Sequence, residues 1–257
     1  MGAMKQQQFA GDLQIHSLRK VYGKGAQEVV AIADLNLSIR AGEFLCILGP
    51  SGCGKSSLLN ILAGFEPATA GQALVNGKSI TGPSHDVGVV FQDTASLFPW
   101  LSVSDNIAFG LKGRISASVI AEKVLWALQL VGLEGFGDKF PNQLSGGMRQ
   151  LAALARVLVT DSKVLLMDEP FAALDALTRQ KMQKKLIEIW QATGKTIILI
   201  THSVDEAIYL GSRVIVFSPR PASIAEEMQI NLPYPRKSTS PEFNQFKEVA
   251  LERLGFQ

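Results

Sequence analysis

The sequence predicts an α/β protein with a mainly parallel sheet, an N-terminal antiparallel β layer and a helical insert. Four short apolar runs, at 44–48, 164–167, 196–200 and 214–217, show no polar alternation, as strands buried on both faces do. Between the second and third runs, residues 176–193 keep helical periodicity, and strand, helix, strand at that spacing implies a parallel crossover. Residues 102–160 carry helical patterns and no run that reads as a strand.

Taken in order, residues 1–11 read as a flexible terminus or a cloning remnant, without the apolar core of a signal peptide. Period-two patches in 8–40, such as Asn36, Leu37, Ser38 and Ile39, predict the antiparallel layer. The run 44–48 leads into a glycine-rich turn, and the run 87–91 leads into Gln92. In the insert, taken as about 93–160, Ile120, Val124, Leu128 and Val131 mark one helix, and Leu151, Leu154 and Leu158 mark another. The helix at 176–193 places Met182, Leu186 and Trp190 on one stripe and Arg179, Lys181, Lys184 and Lys185 elsewhere, with Gly194 to stop it. The segment 221–257 reads as a tail rich in Pro and Ser as far as Ser240 and Pro241. That pair can open a last helix with Phe243, Phe246, Val249 and Leu254 on one face. Residues 12–220 would then form the main domain.

Composition narrows the class. The chain has 257 residues, 47% hydrophobic and 19% charged, enough for a sizeable core. A net charge of +2 gives no reason to expect nucleic-acid binding. No apolar stretch reaches the roughly 18 residues of a membrane span. Cys46 and Cys53 fit neither a metal spacing nor a disulfide framework, which favours a reducing, cytoplasmic compartment.

Chemistry enters with Gly49, Pro50, Ser51, Gly52, Cys53, Gly54, Lys55 and Ser56, which fit G-x-x-x-x-G-K-[ST] between an apolar strand and a helix. The glycines let the backbone close on phosphates, Lys55 supplies a point charge, Ser56 can bind Mg²⁺, and Ser57, next in the helix start, is expected to bind the nucleotide with them. Asp168 and Glu169 end an apolar strand, on the sheet edge where ligands sit in parallel sheets. There Asp168 would hold Mg²⁺ through water and Glu169 would polarise an attacking water. His202 closes the next strand and would face the γ-phosphate, while Gln92 would complete the Mg²⁺ shell. Tyr22 would stack on adenine; the plainer alternative is a half-buried strand aromatic. Ser145, Gly146 and Gly147 open a second helix with bare N–H groups, either an ordinary cap or a second anion site.

As an ordered set these residues resemble the nucleotide-binding subunit of ABC transporters, a P-loop NTPase fold, over about residues 12–220. The resemblance implies an ATPase that binds ATP and Mg²⁺ between two subunits arranged head to tail, a second copy or a paralogous cassette. In that arrangement Ser145, Gly146 and Gly147 of one subunit bind the γ-phosphate held by the other, and Asp175 couples the two sites. Residues 82–92, 97–103 and 105–107 are similar to the nitrate, sulfonate and taurine import branch, although Leu151 stands where many relatives have Arg. The implied partners are transmembrane permease subunits and, indirectly, a substrate-binding protein. The implied place is peripheral, on the cytoplasmic face of the bacterial inner membrane. Phe98, Pro99 and Trp100 are expected to contact a membrane subunit, unless they serve local packing. The alternative function is a soluble ABC ATPase outside transport. Such proteins usually carry two cassettes or a long coiled-coil insert, and this chain shows neither. A kinase or GTPase reading fits less well: no N-K-x-D guanine motif occurs.

Overall fold

The computed structural model describes residues 11–91 and 97–255. Its centre is a six-stranded sheet, in spatial order β10-β9-β3-β8-β7-β6. The members are β3 (Phe44–Leu48), β6 (Val87–Val90), β7 (Val164–Asp168), β8 (Thr196–Thr201), β9 (Arg213–Phe217) and β10 (Ile224–Gln229). All pairs in it are parallel except β9 with β10. Every residue of β3, β8 and β9 is buried, which is why these runs carry no polar alternation. A second, antiparallel sheet is built from β1 (Leu13–Tyr22), β2 (Val29–Ile39), β4 (Ala70–Val75) and β5 (Lys78–Ser79), in the order β2-β1-β4-β5. Its first two strands coincide with the expected layer. In β2 the alternation Asn36, Leu37, Ser38, Ile39 resolves into out, in, out, in.

The pleat of β3 divides the core in two. Phe44, Cys46 and Leu48 face one apolar cluster with the helices of the insert, and Leu45 and Ile47 face another with the antiparallel sheet and α1 (Lys55–Leu62). Each such side chain, taken fully out of water, contributes about 1.5–3 kcal/mol. The insert consists of α2 (Val103–Ala108), α3 (Ala117–Val131) and α4 (Gly146–Leu158), and 102–160 contains no strand. Beyond it lie α5 (Ala176–Thr193), α6 (Val204–Leu210) and α7 (Pro241–Arg253). Gly194 ends α5 in the left-handed conformation, at φ 61°, as its sequence position suggests.

The stretch after residue 220 is more structured than its Pro and Ser content suggests. It opens with the edge strand β10, and its final helix turns Phe243 fully inward while Val249 lies exposed, with Ala250 in the buried place instead. Arg236 anchors the segment. Its buried guanidinium donates to the carbonyls of Ile208 and Gly211, at the C-terminal end of α6, and to that of Ile230. Those helix-end carbonyls lack partners within the helix and carry its negative pole, so they compensate a buried cation well.

Lys195 is also buried, at 3% exposure, and its ammonium donates to the Ser162 carbonyl. Burial holds its pKa near 8 instead of 10.5, with nearby Asp161 offsetting part of the effect. Below pH 8 the folded state therefore carries the cost of a buried charge, and between 8 and 10.5 the unfolded chain binds more protons than the folded one. Stability attributable to Lys195 should rise with pH across that window, by up to about 3 kcal/mol. Urea unfolding of the wild type and Lys195→Met in parallel checks this: the difference between them should shift in favour of the wild type from pH 8 to 10.5.

Candidate nucleotide site

The parallel ladder places the chemistry. Leu48 of β3 lies beside Thr201 of β8, and Asp168 of β7 lies beside Ile200. The loops that follow these strands emerge side by side, so the glycine-rich turn, Glu169 and His202 share one edge of the sheet. Val90 pairs with Met167, which brings the end of β6 to the same edge. Gln92, expected there as a metal and nucleotide ligand, lies outside the described residues.

The loop 49–54 wraps the start of α1. Gly54 is its N-cap at φ 123°, and a Cβ there would meet the Ala31 carbonyl at 2.7 Å, so only glycine fits. No side chain caps this helix, which leaves its first N–H groups for an anion. Lys55 is buried, and its ammonium bridges the loop by donating to Gly49 O at 2.7 Å and Pro50 O at 2.9 Å. Cys53 is turned into the core beside α1, so its backbone alone is available to a phosphate. A cation missed by sequence reasoning stands at the rim: Arg220, between β9 and β10, donates through Nε to Gly52 O at 3.0 Å.

Ser56 donates to Asp168 Oδ2 at 3.1 Å. Burial pushes the Asp168 carboxyl up from its ordinary range; the Ser56 hydrogen bond and Lys55 pull it back, and the Glu169 charge adds to the rise. A carboxylate held this way, next to a hydroxyl, suits a small hard cation. Among the described residues no cluster of three or more His, Cys, Asp or Glu side chains forms a metal cage. A cation here would complete its shell from substrate phosphates and water, the usual habit of Mg²⁺.

Glu169 stands apart from ordinary strand ends. Its φ is +43°, a left-handed conformation that costs a non-glycine residue about 1 kcal/mol or more. Its N–H is fixed to Ile200 O at 2.9 Å, and the turned backbone brings Oε2 to 3.0 Å from His202 Nδ1. The imidazole is 59% exposed and the carboxylate 23%, so both remain open to a ligand.

Tyr22 sits beside the loop as a tethered ring. Its hydroxyl lies 2.7 Å from Glu66 Oε2 and 3.1 Å from Ser57 Oγ, with the Lys20 ammonium 4.7 Å from the ring centroid. Burial raises the phenol's pKa. Glu66 was not legible as a partner, because it is 44 residues away in the chain.

Ser145 caps α4, accepting from Met148 N at 3.3 Å. A Cβ on Gly147 would fall 2.6 Å from Thr178 Cγ2, so glycine lets α4 rest on the first turn of α5. Asp175 caps that turn through Thr178 N, and the Thr178 hydrogen bonds hold its carboxyl below the usual range. Among the described residues, no hydrogen bond or ion pair joins 145–147 to the loop 49–57 of the same chain. The two helix starts are thus separate elements.

A second surface lies at 97–109. Asn106, fully buried, accepts from Phe98 N and donates to the carbonyls of Phe98, Leu101 and Ser102, fixing the turn. The Phe98 ring packs 5.5 Å from Trp100 and 4.5 Å from Phe109. Trp100 is nonetheless 70% exposed. Local packing thus accounts for Phe98 and leaves Trp100 and Phe109 presented to solvent.

Residues 32–172 match the ABC transporter family. The chain is 46% identical to an uncharacterised ABC transporter ATP-binding protein of Methanocaldococcus jannaschii, covering 94% of this chain and 91% of that one. It is 48% identical to a taurine import ATP-binding protein of Pelagibacter ubique, covering 93% and 89%. With an aliphatic sulfonates import ATP-binding protein of Bacillus cereus it shares 40% identity, covering 93% and 94%. A dimeric ATP-binding cassette bound to ADP and Pi in a post-hydrolysis state superposes with a TM-score of 0.73, at 30% identity over 86% of this chain and all of that one. Motif order, sheet topology and near-complete coverage agree: the chain belongs to the ABC transporter family, as one of its ATP-binding cassettes.

Proposed function

We propose that this cassette hydrolyses ATP to drive import of a small sulfonate-type solute such as taurine or an alkanesulfonate. It would work as a dimer on permease subunits at the cytoplasmic face of the bacterial inner membrane. The observation that carries the catalytic reading is the convergence of Lys55, Asp168, Glu169 and His202 at the ends of three adjacent parallel strands. The named taurine and sulfonate importers support the solute class. A substrate-binding protein would present that solute to the permease, so no residue of this chain is assigned to it.

The glycine loop and Lys55 hold the β- and γ-phosphates, and Tyr22, fixed by Glu66 and Ser57, offers its ring to adenine. Ser56, Asp168 and Gln92 would hold Mg²⁺, which when bound neutralises developing charge on the phosphates. Glu169 accepts the proton of the attacking water. His202 keeps one ring nitrogen on Glu169, and the other is left to reach a γ-phosphate oxygen. The helix start 145–147, which among the described residues makes no hydrogen bond to its own loop, serves the loop of the second subunit, and the nucleotide closes the dimer. Trp100 and Phe109, both exposed, are the surface offered to a membrane partner.

Three outcomes test these assignments. Glu169→Gln should bind ATP normally and lose turnover by at least about a hundredfold in a phosphate-release assay; near-normal turnover removes Glu169 from its role. Ser145→Arg should abolish both ATP-driven dimerisation, followed by light scattering, and hydrolysis; retention of both defeats the two-subunit site. Trp100→Ala should weaken co-purification with the permease subunits by about tenfold or more while ATP affinity stays unchanged. Unaltered co-purification would assign this aromatic cluster to local packing.

A further inference from the structure

The segment 217–222, which carries β9 over to β10, lies along the glycine loop. Each glycine of that loop faces one of its residues. A Cβ on Gly49 would fall 3.1 Å from Phe217 Cβ, one on Gly52 3.2 Å from Arg220 Nη2, and one on Gly54 3.2 Å from Ala222 Cβ. Phe217 and Ala222 are fully buried, and the Ala222 N–H donates at 2.9 Å to Ala31 O, the carbonyl that also crowds Gly54. The turn is closed on itself: the Ser218 N–H donates to Ser223 O at 3.0 Å, and the Ser223 N–H to Ser218 Oγ at 3.1 Å. Pro219 and Pro221 restrict the backbone on either side of Arg220. Arg220 is thus an exposed side chain on a fixed support.

Its contact with the loop has a directional effect. Arg220 Nε donates to Gly52 O at 3.0 Å, a charge-assisted bond. The peptide unit between Gly52 and Cys53 is planar and trans, so its C=O and N–H point to opposite sides. A Gly52 carbonyl drawn outward to Arg220 therefore turns the Cys53 N–H inward, across the loop. There it faces Pro50 O at 3.4 Å, too long for a strong bond, and Lys55 Nζ reaches the same oxygen at 2.9 Å. Two donors converge on one spot inside the loop, the arrangement that takes a phosphate oxygen. Gly52, at φ 74°, has no Cβ to hold this peptide plane, so the hold has to come from outside the loop.

We propose that Arg220 is a positioning residue for the phosphate loop: by gripping the Gly52 carbonyl it aims the Cys53 N–H at a polyphosphate. It rests on the role given to the loop above and gives Arg220 no part in the hydrolytic step.

Calorimetric titration of the full-length chain with ATP and with tripolyphosphate, which has the phosphates without adenosine, tests it. Arg220→Met should weaken both ligands by the same factor, about fivefold. The loss should persist at about 0.5 M KCl, where a long-range field is screened. Turnover at saturating ATP should stay within about twofold, so that the change falls on KM and not on kcat. Unchanged affinity, a loss seen with ATP alone, a loss that vanishes at high salt, or a fall confined to kcat overturns the proposal. The Cys53 amide resonance should move when tripolyphosphate is added to the wild type and move less in Arg220→Met at saturation; equal movement overturns the aiming. Lys55→Met separates the two levels. If it binds tripolyphosphate as tightly as the wild type, the phosphate-loop reading fails and the role of Arg220 with it. If Lys55→Met weakens binding and Arg220→Met does not, the role of Arg220 alone fails.

Discussion

The parallel ladder that sets Leu48 beside Thr201 and Asp168 beside Ile200 is the constraint on which the rest of the molecule depends. Parallel strands are joined by crossovers, so the residues that follow them come from distant parts of the sequence yet leave the sheet at one level. The phosphate loop and Asp168 are 112 residues apart at the Ser56 contact and still meet at 3.1 Å. A slip of one residue in either strand pair would invert the faces of that strand and carry its terminal functional group away from the others. Because both faces of β3 and β8 are buried, it is the close packing of differently shaped side chains on each face, and not polar alternation, that opposes such a slip.

Precision at this edge comes from backbone geometry more than from side-chain choice. Glu169 is held in a conformation that few non-glycine residues adopt, and the Ile200 carbonyl keeps it there. Gly54 has a comparable role on the loop, where any side chain would collide with Ala31. In both places local strain or loss of a side chain is offset by the rigidity of the sheet beneath. The tail adds to that rigidity from the far side, since Arg236 fastens the end of the helix whose beginning carries the His202 turn.

Much of this was legible in the sequence because the physics involved is local. Unalternating apolar runs announce buried parallel strands, Gly194 announces the end of α5, and the glycine loop announces an anion site. What escaped notice depends on long-range pairing. Strand β4 shows an exposed, exposed, exposed, buried, intermediate, buried pattern and has no periodic signature of its own; pairing with β1 makes it a strand. Strand β10 reads Ile-Ala-Glu-Glu-Met-Gln, polar enough to pass for loop until β9 supplies its partner. The tether on Tyr22, the buried Asn106 and the carbonyls around Arg236 are likewise contacts between segments far apart, with nothing in their own neighbourhoods to mark them. Apolarity alone puts Val249 on the inner face of α7, but Ala250 is the buried residue there and Val249 is exposed.

The two borders of the central sheet bear on how such a protein stays dispersed. An unpaired strand offers a row of hydrogen-bonding groups to any other strand, and sheets with bare borders tend to stack side to side into aggregates. Here one border, β6, is only four residues long and lies under α4, and the other, β10, presents Glu226 and Glu227, the first of them tied to Arg253 of α7 at 2.9 Å. Short length at one end and ion-paired charged side chains at the other, Glu226 with Arg253 and Glu227 with Arg213, discourage chance pairing.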